Sequence, residues 1–182
     1  MRLVRLVAAI AVIAGLWLGV AGVSRLLRPG QNPFAPGGAV LGGWHGEALT
    51  ATGRRVELWL QLDAGRAVKC GRHCPQIEGV AVTCEPGGVR GRSEVWGRVK
   101  DRRLVLMTDD QGADPAALRP DRLEGAWPAE VLEIRSNLKA WRTAADPDGT
   151  LATRSIDHPD SAAPVVWRLQ RFNGRAPERC PA

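Results

Sequence analysis

Hydrophobic and polar positions follow two regimes along this chain. From Leu6 to Val23 the run LVAAIAVIAGLWLGVAGV holds eighteen residues without a charge, with Arg2 and Arg5 before it and Arg25 and Arg28 after it. A helix needs roughly 20 such residues to cross the hydrocarbon core of a bilayer, so the run predicts a transmembrane helix. It is longer than the roughly 7–15 apolar residues of a cleaved signal, and the small-residue site around Val20-Ala21-Gly22 lies inside it. An uncleaved anchor over residues 1–28 is therefore favoured, with cleavage to a soluble periplasmic or secreted form as the alternative. Residues 29–39, opening PGQNPFAPGG, suit neither helix nor ladder and read as a linker.

From residue 40 the period changes to two. Val40 to Glu47 and Val56 to Leu62 alternate around a turn at Thr52-Gly53-Arg54 and predict a hairpin. After the Asp63-Ala64-Gly65 turn come a short strand, Arg66 to Cys70, then Ile77 to Cys84, the Pro86-Gly87-Gly88 turn, Ser93 to Val99 and Arg103 to Thr108. Asp114 to Leu118 predicts one helical turn with Pro115 at its first position. Leu123 to Trp127, Val131 to Ser136 and Val165 to Phe172 complete the strands, with a turn at Asp146-Pro147-Asp148-Gly149. The fold class that follows is all-β: an antiparallel barrel or meander of about eight to ten strands over residues 40–182, behind the transmembrane helix and linker. The pattern apolar-x-Gly-x-Trp occurs at Val40–Trp44 and again at Leu123–Trp127.

Composition alters this picture in two places. The net charge of +6 suggests a basic protein, but four of its 25 Lys and Arg lie in the first 30 residues, where there is no acid. The remainder is nearly balanced and lacks the concentrated basic face of a nucleic-acid binder. There is no Tyr and there are two Phe, yet seven Trp, six of them after the apolar run, as fillers for a small barrel.

Gly42-x-Trp44, at the start of the first strand of a meander, resembles lipocalins and the related calycin barrels. The resemblance implies that Trp44 closes one end of the barrel beneath a basic side chain from near the last strand, a role open to Arg168 or Arg171. It also implies a small apolar ligand. The chain departs from the lipocalin pattern in having no Tyr for the Thr-Asp-Tyr motif and no evident helix after Phe172.

Cys70, Cys74, Cys84 and Cys180 are an even set in a chain expected to be translocated, so two disulfides are the natural reading. Three pairings are open, and Cys180 is expected to staple the tail to the Cys70–Cys84 region. Zinc at Cys70, His73, Cys74 and Cys84, and a dithiol site activated by Arg72 and His73, are weaker readings because Cys-x3-Cys followed by Pro75 fits neither motif well. No metal or other cofactor is expected.

Other polar groups offer little chemistry. His45 is expected at a barrel rim with Glu47 on the same side. Ser155, His158 and Asp160 hold the residue types of a hydrolase triad, but one Pro-containing loop cannot bring them together with an oxyanion hole. Asp109, Asp110 and Asp114 read as a solvated acidic turn. The basic run Arg90, Arg92, Arg98, Lys100, Arg102 and Arg103 spans two strands and their turn and is a candidate binding patch. The expected function is a non-catalytic binding or assembly module of a cell-envelope complex. It would be anchored in the inner membrane through Leu6–Val23, with a protein partner and no nucleic acid. A carrier of a small apolar ligand is the alternative, and a thiol–disulfide enzyme using Cys70 and Cys74 comes third.

Overall fold

Period-two alternation from residue 40 onward produces strands whose alternate residues share one face. In the computed structural model those faces roll into a closed barrel. The structure describes residues 13–20, 22–23, 40–65, 77–100, 102–110, 117–126, 130–145, 147 and 149–180. The strands are β1 (Gly42–Leu49), β2 (Arg55–Ala64), β3 (Ile77–Cys84), β4 (Arg90–Lys100), β5 (Arg103–Asp110), β6 (Arg119–Pro120), β7 (Arg122–Ala126), β8 (Val131–Ser136), β9 (Leu138–Ala145), β10 (Leu151–Ile156) and β11 (Val165–Phe172).

Eight of them close in the order β1-β11-β8-β7-β5-β4-β3-β2, and every pair is antiparallel. Leaving out β6, β9 and β10, this is the order of the chain itself: an up-and-down meander whose last strand pairs with its first. Closure removes the unpaired edges that an open sheet would expose. The architecture is compatible with a calycin-like barrel.

Register follows the apolar faces. Val56, Leu58, Leu60 and Leu62 of β2 point inward, and pairing sets Trp44 opposite Leu60 and Ile77 opposite Ala64. Val95 and Val99, Leu104 and Leu106, Leu132 and Ile134, and Val165, Trp167 and Leu169 continue the lining. All belong to one contiguous apolar cluster. An eight-stranded barrel is just wide enough for side chains to fill or for one small ligand. Here two indoles and the leucines occupy it.

The eight-strand barrel falls within the expected range, but three strands arise where none was expected. β9 and β10 pair as an antiparallel hairpin, and β6 adds to β9 to make a separate three-stranded sheet. On the inward face of β9 stand Leu138 and Ala140, both buried in the barrel's own cluster. Such small residues give a weak alternation, and the hairpin is held by pairing rather than by pattern. The expected strand at Arg66–Cys70, the helical turn at 114–118 apart from Ala117 and Leu118, and Trp127 of the second Gly-x-Trp lie outside the described residues. Residues 13–20 and 22–23 are helical with every side chain exposed. Among the described residues no helix is long and apolar enough to cross a membrane.

Candidate functional site: two closed ends and an outer wall

At one end of the barrel, Trp44 is buried and its indole N–H donates to the Val40 carbonyl at 2.7 Å. The Arg171 guanidinium lies over the ring, 4.1 Å from its centroid, and donates to the Leu41 carbonyl. Partial burial draws the Arg171 pKa down. Gly42 makes room for this arrangement. Its φ is +108°, and a Cβ there would sit 3.0 Å from the guanidinium. Strand parity explains why Arg171 is the arginine over Trp44: it continues the inward set of Val165, Trp167 and Leu169. Arg168 has the opposite parity and stands in solvent near Glu133, at 3.7 Å.

The opposite end is covered by the three-stranded sheet and a knot of buried polar groups. Asp160, in a short 3-10 turn (Pro159–Ser161), accepts hydrogen bonds from the hydroxyls of Thr50 and Thr52 in the β1–β2 turn. Arg54 reaches both Asp160, at 3.0 Å, and Glu85 of the β3–β4 turn, at 2.8 Å. The other Glu85 oxygen accepts from the Leu118 amide at 2.7 Å, and the Thr83 hydroxyl donates to the Leu118 carbonyl at 2.6 Å. Desolvation alone would raise the Asp160 pKa. The two hydroxyls and the Arg54 charge outweigh it and hold the carboxyl below its ordinary value. One guanidinium thus ties two hairpin turns and the inserted segment across the barrel mouth. The Cys84–Cys180 disulfide brings the C-terminal tail to the same end.

The outer wall has its own chemistry. Trp96 of β4 and Met107 of β5 are cross-strand partners, 37% and 47% exposed, the two large apolar side chains that this wall turns to solvent. Beside them, Asp63, Glu78, Val80, Glu94 and Trp96 line a groove of about 440 Å³. A quarter-turn away, His45 stacks on Trp59 with ring centroids 3.7 Å apart, and Phe172 meets Trp59 edge-on at 4.8 Å. A second groove, lined by Asp121, Arg122, Glu124, Arg135 and Asn137, is polar, with Arg122–Glu124 at 3.0 Å and Lys139–Asp121 at 2.8 Å.

The structure sorts the remaining expectations. His45 is on the outer wall rather than at the rim, and its acidic neighbour is Glu57, at 3.5 Å, while Glu47 bridges Arg55 at 3.1 Å. Asp109 and Asp110 are the last residues of β5, opposite Glu94 and Ser93, and do not form a turn. His158 Nδ1 accepts the Asp160 amide at 3.2 Å, whereas Ser155 is paired within the β9–β10 hairpin opposite Trp141.

The basic run divides in two. Arg90 and Arg92 lie at the knot end of β4, while Arg98, Lys100, Arg102 and Arg103 lie at the Trp44 end. Six residue steps along the strand, about 20 Å, separate Arg92 from Arg98, with Glu94 and Trp96 between them. Cys70, Cys74 and His73 lie outside the described residues. Among the described residues no group of three His, Cys, Asp or Glu is placed to hold a metal. The Thr50–Thr52–Arg54–Glu85–Asp160 knot was not expected from the sequence, in which Thr-x-Thr-x-Arg in the β1–β2 turn was its visible trace.

No protein-family model matches the chain, and neither a similar curated protein nor a similar solved structure was found.

Proposed function

We propose that this chain is a non-catalytic docking module of a cell-envelope complex: a calycin-like barrel tethered to the inner membrane and held outside the cytoplasm. One observation carries the reading. The interior is taken up by the chain's own side chains and both ends are covered, so recognition falls to the outer wall, where Trp96 and Met107 stand exposed. Aromatic and Met side chains are enriched at interface cores, whose rim is polar, as Glu94 and Asp63 are here. The tether is supported by the exposed helical residues Ile13, Leu16, Trp17, Leu18 and Val20, since a helix apolar all round belongs in a protein core or a bilayer. An oxidising compartment is supported by the Cys84–Cys180 bridge.

Carriage of a small apolar ligand would require the space that Trp44, Trp167 and the inward leucines occupy. The two grooves described above open on the outer wall instead.

The test is the double variant Trp96→Glu/Met107→Glu in the full chain. The expected result is loss of the co-purifying envelope protein from solubilised membranes, with the melting temperature and membrane partitioning unchanged. Retention of the same partner by the double variant contradicts the proposal.

A further inference from the structure

The tether and one half of the basic run share an end of the barrel. The Val40 and Leu41 carbonyls are held by Trp44 and Arg171, so the chain preceding residue 40 arrives at the Trp44 end. Register carries that end around the rim: Gly42 pairs with Leu62, Ala64 with Ile77 and Ile77 with Gly97, which places the Lys100–Arg103 turn there too. In the barrel order three strands separate β1 from β5 in either direction, so the turn lies diametrically across the rim from the entering chain. For eight strands this is about 15 Å.

We propose that this β4–β5 tip is a contact site for the anionic headgroups of the membrane that holds the tether. The idea rests on the tethered reading given above. Residues 98–103 read Arg-Val-Lys-Asp-Arg-Arg, four cations against one acid. Arg98, Arg102 and Arg103 are exposed. Arg102 has φ +60°, a left-handed conformation that glycine would adopt without strain, so turn geometry does not account for an arginine there. Guanidinium groups pair with phosphate through two parallel hydrogen bonds, and basic residues are drawn to an anionic leaflet within about one Debye length. Tether and tip together form two attachments on opposite sides of one rim, which stand the barrel upright and hold the Trp96–Met107 wall perpendicular to the membrane.

The experiment places the full chain in nanodiscs of phosphatidylcholine alone or of phosphatidylcholine with phosphatidylglycerol. Phenylglyoxal modification is then followed residue by residue by mass spectrometry, with Arg55 and Arg168 as internal references. The expected result is that Arg102 and Arg103 react at least about threefold more slowly in the anionic discs, that added salt abolishes the difference, and that the references do not change. Equal rates in both discs, with the chain still disc-bound, overturn the lipid contact and leave the tether standing. A chain that fails to co-elute with either disc overturns the tether and the contact together. The variant Arg102→Glu/Arg103→Glu should stay in the discs while its Lys100 acetylation rate no longer depends on lipid charge; continued dependence also counts against the tip.

Discussion

Arg171 acts on the closed end through one face and one hydrogen bond. Replacing it with Ala removes the cation over Trp44 and the donor to Leu41, a combined loss of about 1–2 kcal/mol, readable by chemical denaturation. Arg168→Ala, by contrast, should leave stability within about 0.5 kcal/mol. Sequence alone left these two arginines equivalent, because proximity to the last strand does not separate them; parity against Trp167 and Leu169 does. Asp160 was legible only as part of a discounted triad. Its partners lie more than a hundred positions away in the β1–β2 turn, and no local pattern announces a contact closed by tertiary folding. Asp160→Asn leaves the Arg54–Glu85 pair in place but weakens the charge-assisted hydrogen bonds from Thr50, Thr52 and Arg54, and should cost about 1.5–3 kcal/mol near neutral pH. The folded pKa is depressed, so the carboxylate's contribution is present above its ordinary value of 3.8 and fades as pH falls through the lower folded value. Melting temperature against pH should therefore fall below about pH 4 in the parent chain and more gently in Asp160→Asn, the two curves converging. Parallel curves would show that Asp160 is not the titrating group.

At the scale of elements, the strands with large β-branched or leucine faces were readable and those with alanine faces were not. β2, with Val56, Leu58, Leu60 and Leu62 in alternation, needs no tertiary information. β9 reads Leu-Lys-Ala-Trp-Arg-Thr-Ala-Ala, and alanine favours a helix over a strand. Pairing with β10 and β6 decides it. Close approach of strands sets another requirement. A Cβ at Gly97 would run into the Val105 carbonyl across the β4–β5 pair. Gly97→Val should thus destabilise by more than about 3 kcal/mol or prevent folding, as judged by urea midpoint and soluble yield. The C-terminal tail depends on its bridge: Cys84→Ser/Cys180→Ser should lose about 2–4 kcal/mol and expose residues 173–180 to protease. Non-reducing peptide mapping is expected to link Cys84 with Cys180.

At the scale of the whole molecule, the sequence indicated an all-β domain, its place behind an apolar segment and the importance of Gly42 and Trp44. It did not indicate that the barrel is filled. Interior volume depends on which side chains share the lumen, and Trp44 and Trp167 enter one core from strands more than a hundred residues apart in sequence. Nor did it separate the basic run into two ends, because a linear cluster on an 11-residue strand spans most of the barrel's height. Filling is what shifts the weight from the carrier alternative, which needs the lumen, to docking on the wall. A photo-crosslinking amino acid placed at Met107, and in a parallel chain at Val166 on the exposed face of β11, tests that shift most directly in intact membranes. The account predicts one defined protein adduct from Met107 and none from Val166. No adduct at Met107, or the same adduct from both positions, would contradict it.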